Sequence, residues 1–128
     1  MNTSVPLFVN GEGMRGGAVH HNIADYSFLG HVHTAAKYRF YSVGDKFPAL
    51  WPAADGVCVV GELYDVPLTA IRDHFMPDEP PELELGVIEL WDGSAAMAVM
   101  LRRESYGLDS LKDISDTGGW RSYRATTF

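Results

Sequence analysis

Gly11, Gly13, Gly16 and Gly17 crowd into the segment Asn10-Gly11-Glu12-Gly13-Met14-Arg15-Gly16-Gly17, which follows directly on the apolar run Leu7-Phe8-Val9. Backbone without Cβ atoms can take positive φ and approach a ligand closely, and a loop leaving a strand can aim consecutive N–H groups at a carboxylate or another small anion. Asn10, Gly11, Glu12, Gly13 and Met14 are therefore the expected substrate-binding floor of a site. The alternative is a connection that needs glycine for its geometry alone. Glu12 sits inside this loop, where its carboxylate repels an anionic ligand unless it is protonated or paired with Arg15; it could instead receive an ammonium or amide group.

Arg39 lies in Tyr38-Arg39-Phe40-Tyr41, where strand alternation puts Tyr38 and Phe40 on one face and Arg39 and Tyr41 on the other. If the second face lines a cavity, Arg39 can hold a substrate carboxylate as a bidentate fork; otherwise it is a surface residue of a sheet. The histidines include His20-His21 and His31-Val32-His33, the latter two sharing a face on a strand. No cysteine cluster or His-Glu-x-x-His helix accompanies them, so no metal is expected. His20 and His21 fall beside the glycine loop, where one could serve as acid, base or ligand donor. The single cysteine, Cys58 in Val57-Cys58-Val59-Val60, reads as a buried small hydrophobe without a disulfide partner. Glu62 and Glu104 are candidate ion-pair partners for Arg39 or Arg121, and Trp120 and Tyr123 candidate anchors of the C-terminal segment.

The elements that must position these groups are short. Strand-like runs cover residues 7–9, 38–43, 57–64, 86–90 and 96–101, each bounded by Gly, Pro, Asp or Asn. Asp92-Gly93 is a hairpin signal, so the last two runs should pair antiparallel. Leu68, Ile71 and Phe75 behind Pro67 predict one short amphipathic helix, residues 19–24 a second, and residues 110–114 a turn or short helix. The acidic, proline-rich stretch Pro77-Asp78-Glu79-Pro80-Pro81-Glu82 cannot be helix interior or central strand and reads as a surface loop. Strands outnumber helices and few crossovers are available, so the class is α+β with a mostly antiparallel, strongly curved or barrel-like sheet.

A chain of 128 residues, 46% hydrophobic and 21% charged, is the size of a single domain (1–128) with one core. Its net charge of −7 sets nucleic acid and anionic membrane surfaces aside as partners. No apolar run is long enough to span a bilayer and no basic, apolar leader opens the sequence, which makes the cytoplasm the expected location. Dinucleotide, Walker and nucleophile-elbow signatures are missing, and no cofactor is expected.

Three segments carry a resemblance. Phe8-Val9-Asn10-Gly11-Glu12-Gly13-Met14 occupies the place of the Tyr-Gly-x-Leu-type loop of gamma-glutamyl cyclotransferase-like proteins, and residues 34–41 with Gly61-Glu62-Leu63-Tyr64 continue their pattern. Pro80-Pro81-Glu82-Leu83-Glu84-Leu85-Gly86-Val87-Ile88-Glu89-Leu90, with Asp92-Gly93, resembles the signature of the C-terminal domain of allophanate hydrolases. Asp113-Ile114-Ser115 and Gly118-Gly119-Trp120-Arg121-Ser122-Tyr123 are similar to the end of that domain. The resemblance implies a small mixed, mostly antiparallel β-barrel with a few flanking short helices, and a cavity floored by the loop after the first strand. In allophanate hydrolase the domain is fused behind an amidase; here a free-standing version is expected.

The cyclotransferases are understood to use one glutamate, located between helix and hairpin, as general acid/base. Carried over, that position falls nearest Glu79, with Glu82 next, and Glu12 is a third catalytic candidate. The allophanate-type domain has proline where Glu82 stands, and the loop tyrosine of the cyclotransferases is Asn10 here. The implied function is binding or processing of a small carboxylate or amide metabolite. The alternatives are a gamma-glutamyl cyclotransferase releasing 5-oxoproline, a transferase reaction, and a non-catalytic assembly partner of a separate amidase.

Overall fold

The computed structural model describes residues 3–127. Strand β1 (Ser4–Val9) ends in Leu7, Phe8 and Val9, all buried. A strand that is apolar on both faces belongs inside a sheet. It runs between β5 (Val60–Pro67), antiparallel, and β7 (Ala95–Leu101), parallel. The other strands are β2 (Ser27–His33), β3 (Tyr38–Val43), β4 (Phe47–Pro52), β6 (Leu83–Glu89) and β8 (Leu111–Asp113). Their order is β2-β5-β1-β7-β4-β3-β8, with β6 paired to β7. The sheet curls into a half-barrel with the main core in its hollow, an α+β architecture as expected.

The β6–β7 hairpin forms in full register, from Leu83 opposite Leu101 to Glu89 opposite Ala95. At its turn Gly93 takes φ +85°, and the Asp92 carboxylate accepts hydrogen bonds from the Ser94 N–H and hydroxyl. On β3, Tyr38 and Phe40 are buried while Arg39 and Tyr41 lie half-buried on the opposite face, as alternation requires. The predicted amphipathic helix is a composite: α1 (Leu68–Ala70) opens behind Pro67, widens into a π-type stretch at Ile71–Phe75 and tightens into a 3-10 turn at Met76–Asp78. Residues 19–24 hold only the 3-10 turn His20–Asn22.

Several expectations fail locally. Residues 110–114 contain β8 rather than a turn or helix, because the chain there pairs with β3. The run 57–64 becomes a strand only from Val60, Val57 making an isolated bridge to Tyr38. Cys58, beside the fully buried Val59, is exposed: extended backbone sends neighbouring side chains to opposite sides. Two strands, β2 and β4, and the C-terminal helix α2 (Trp120–Thr127) were not foreseen. Among the described residues no helix is long and apolar enough to cross a membrane.

One buried charge joins three parts of this fold. Glu62 on β5 lies opposite Val9, the last residue of β1, and is 1% exposed. Its Oε1 accepts from the Arg15 N–H and the Tyr64 hydroxyl, each at 2.9 Å, and its Oε2 from Arg121 Nη2 at 3.2 Å. Burial alone would raise this carboxyl; the Arg15 amide, the Tyr64 hydroxyl and the Arg121 guanidinium together hold it below the ordinary glutamate range. The expected Glu62–Arg121 pair is thus present, whereas Glu104 is exposed in the 3-10 turn Arg103–Ser105. Replacing an ionised partner while leaving its donors in place is costly. We expect Glu62→Gln to lose about 1–3 kcal/mol in urea unfolding. A depressed carboxyl adds stability above its unfolded pKa that disappears as pH falls through the folded one. The variant should therefore lose part of the wild-type acid sensitivity.

Candidate functional site

The glycine loop after β1 and the acidic segment before β6 meet at one cavity of about 170 Å³. Residues 10–13 form one side and Asp78, Glu79 and Pro80 another, with Phe8, Val9, Phe47, Pro48, Phe75, Leu83 and Val99 as apolar walls. The approach is close: a Cβ on Gly11 would stand 2.5 Å from Pro48 Cδ, so only glycine lets that proline cover the loop. The loop folds back on itself, the Met14 N–H donating to the Gly11 carbonyl and the Val19 N–H to the Glu12 carbonyl. In this turn the N–H groups of Gly11, Glu12 and Gly13 make no hydrogen bond among the described residues. Such neighbouring, uncommitted donors are suited to a carboxylate or a carbonyl oxygen gaining charge.

Glu79 follows directly on the 3-10 turn and is half-buried in the lining. Burial against the apolar walls, with the negative charge of Asp78 adding to it, pushes its carboxyl up to about 7. A carboxyl in that range can both give and take a proton at neutral pH. Asp78 is tethered to the turn after the glycine loop, accepting from Asn22 Nδ2 at 2.8 Å, with His21 Nε2 3.8 Å away. His20 fastens the loop itself, its Nδ1 lying 2.9 Å from the Gly13 carbonyl to which it can donate.

The remaining candidates divide. Asn10, Gly11, Glu12 and Gly13 line the cavity. The Glu12 carboxylate, however, is engaged by the Ala18 N–H at 3.1 Å, Trp120 Nε1 at 2.8 Å and Arg124 Nη1 at 3.1 Å; it does not pair with Arg15. Met14 does not reach the cavity, because its side chain is buried in the main core. Glu82 is not in the lining either: its backbone carbonyl holds the Arg102 N–H beside the hairpin. Arg39 faces away, bonded to Asp113 and to the Asp55 carbonyl. Among the described residues no three His, Cys, Asp or Glu side chains gather as metal ligands. Lys46, an exposed cation in the lining, was not singled out from sequence; Gly44-Asp45, both at φ +59°, marked its turn but not its approach to the cavity.

A family model described as the allophanate hydrolase C-terminal domain matches residues 5–125. The chain belongs to this family. Among solved structures it is similar to a uropathogenic E. coli-specific protein, at 29% identity and TM-score 0.87, over 98% of this chain and 99% of that one. The allophanate hydrolase of Kluyveromyces lactis shares the fold at 24% identity and TM-score 0.89; the match covers 98% of this chain and 22% of that enzyme. An AIG2-like protein from Mus musculus, at 21% identity, TM-score 0.62 and 84% coverage of this chain and 82% of that one, shares the fold. No functionally curated protein matches the chain.

For this allophanate hydrolase C-terminal-type domain, Gly17 sets the loop geometry. A Cβ there would collide with the Glu12 carbonyl group that anchors the Val19 N–H. Gly17→Ala should destabilise the domain by about 1–3 kcal/mol, as overpacking does. Chemical denaturation reads the loss, and amide shifts of Gly11 and Gly13 should report the displaced loop.

Proposed function

We propose that this domain binds a small metabolite carrying a carboxylate or amide in the cavity and acts on it by proton transfer through Glu79. One observation carries the reading: an acid with its carboxyl near 7 shares a small, largely apolar cavity with uncommitted N–H donors. The amides of residues 11–13 would hold a carboxylate, or a carbonyl oxygen as it becomes negative. Protonated Glu79 would deliver its proton to a nitrogen as the C–N bond to it breaks. Breakdown of a carboxylated amine needs that step, and so does a cyclotransferase reaction, in which Glu79 first relieves the attacking α-amine of its proton. Lys46 adds attraction for an anionic substrate. The family assignment favours the carboxylated or amide substrate, and 5-oxoproline release is the alternative.

A second reading is an assembly module that docks on a separate amidase. It is favoured by the match to a stretch making up only 22% of the Kluyveromyces lactis allophanate hydrolase chain. Co-purification of an amidase with an inactive domain would support it.

Turnover of gamma-glutamyl amines and carboxylated amines, followed by NMR detection of 5-oxoproline and by ammonium release, tests the main reading. Glu79→Gln should lower kcat about 10²–10⁴-fold, the usual contribution of general acid–base catalysis. Glu82→Gln should leave it unchanged. Full activity in the Glu79 variant would overturn the assignment. Stability supplies an independent check. Between pH 4.5 and about 7 the folded domain keeps a proton on Glu79 that the unfolded chain has lost, so stability should fall as pH rises through this window and then level off. Glu79→Gln should abolish that decline in a series of thermal melts.

A further inference from the structure

Asn10 is the one neutral polar side chain in the cavity lining, and it is 8% exposed. Its carboxamide makes no hydrogen bond among the described residues. Among the described residues every fully buried side-chain N or O has a partner, so the Asn10 amide atoms keep some contact with open space, and the cavity is the space this residue lines. A carboxamide with no protein partner at such a place is free to exchange water for an incoming group that pairs with it.

We infer that Asn10 determines specificity in this site, selecting a metabolite that presents a neutral carboxamide or ureido group to it while a carboxylate or carbonyl oxygen occupies the amides of residues 11–13. This rests on the proposed function, whose substrate class it narrows. A carboxamide offers an acceptor and donors side by side, so two of them facing each other exchange a hydrogen bond in each direction. A carboxylate of the same shape satisfies only the Asn10 NH2 and turns its lone pairs on Oδ1. The setting works against a second negative charge as well, because Asp78 and Glu79 already face the cavity. The amides of residues 11–13 and Lys46 can compensate one anionic group, and Asn10 then separates a mono-anion carrying an amide from a di-anion.

Succinamate and succinate differ only in this respect. Titrating each into the isotopically labelled full chain, with NMR detection of the Gly11 and Gly13 amides and of the Asn10 side-chain NH2, measures both affinities at one site. Succinamate should bind about tenfold tighter, in keeping with one added hydrogen bond and one charge fewer, and should shift the Asn10 NH2 pair. In Asn10→Leu the ratio should fall several-fold, leaving only the share due to repulsion by Asp78 and Glu79, while the glycine amides still respond; an unchanged ratio overturns the inference. Succinate binding as tightly as succinamate in the wild type, with the glycine amides shifting, overturns the inference and leaves the cavity reading intact. If neither ligand moves the cavity resonances, both fall. If the leucine variant does not fold, the wild-type Asn10 NH2 signal decides: a shift with succinamate that succinate does not produce supports the inference, and equal or absent shifts overturn it.

Discussion

The glycine loop lines the cavity with its N–H groups at residues 11–13 unpaired among the described residues, while two carboxylates hold the rest of the segment in place. Glu62 takes the Arg15 N–H from beneath the loop, and Glu12 takes the Ala18 N–H from within it. Each acid also reaches helix α2, Glu62 through Arg121 and Glu12 through Trp120 and Arg124. A loop this rich in glycine has much conformational entropy to lose on folding, and charge-assisted bonds to rigid strand and helix are what oppose that loss. The C-terminal helix is therefore part of the site's support although none of its residues line the cavity.

Three glutamates of this region illustrate how environment assigns roles. Glu62 is the most buried, yet it is ringed by donors and kept ionised. Glu12 is likewise surrounded by an indole, a guanidinium and an amide. Glu79 has apolar walls and a neighbouring acid instead of donors, and its carboxyl rises. Burial alone does not decide whether an acid is held ionised or pushed up; the supply of hydrogen bonds to the charged form does. The prolines on either side of Asp78-Glu79 contribute by keeping the segment out of both helix and sheet, so the backbone can turn inward after the 3-10 turn.

Much of this was legible in the chain because it is local. The glycine loop, the β6–β7 hairpin with its Asp-Gly turn and the alternation along β3 each follow from neighbouring residues, and the loop's place at the end of a strand follows from Leu7-Phe8-Val9. What was hidden depends on partners distant in sequence. Strand β4 begins and ends beside prolines, Pro48 and Pro52, which argue against a strand unless a neighbour such as β3 supplies the pairing. Strand β2 carries a glycine at φ +135° and a register shift, which break the strand pattern. Five of the eight residues of helix α2 are aromatic, Ser or Thr, of weak helix propensity, and the helix is fixed by burial of Trp120 and Tyr123. At the site, the segment holding the cavity acid could be named, but which acid turned inward could not. Glu79 and Glu82 have similar neighbours in sequence, and only the chain's path past Phe75 and Leu83 separates them. Arg39 was divided between cavity and surface for the same reason, and Asp113, 74 residues away, decides it.

The proximity of Glu79 to the loop amides has a further physical consequence under the proposed function. A negative group held by residues 11–13 raises the electrostatic penalty for ionising Glu79 in the same cavity, on top of the effect of Asp78. Binding of an anion and protonation of Glu79 are then coupled, each favouring the other to the same extent. An enzyme that must donate a proton to a leaving nitrogen gains from this arrangement, because the substrate's own charge loads the acid on arrival. Release of the product anion removes that influence and lets the proton equilibrate with solvent. A neutral group at Asn10 preserves the balance, since a second charge would drive the carboxyl so far upward that it would hold its proton rather than transfer it.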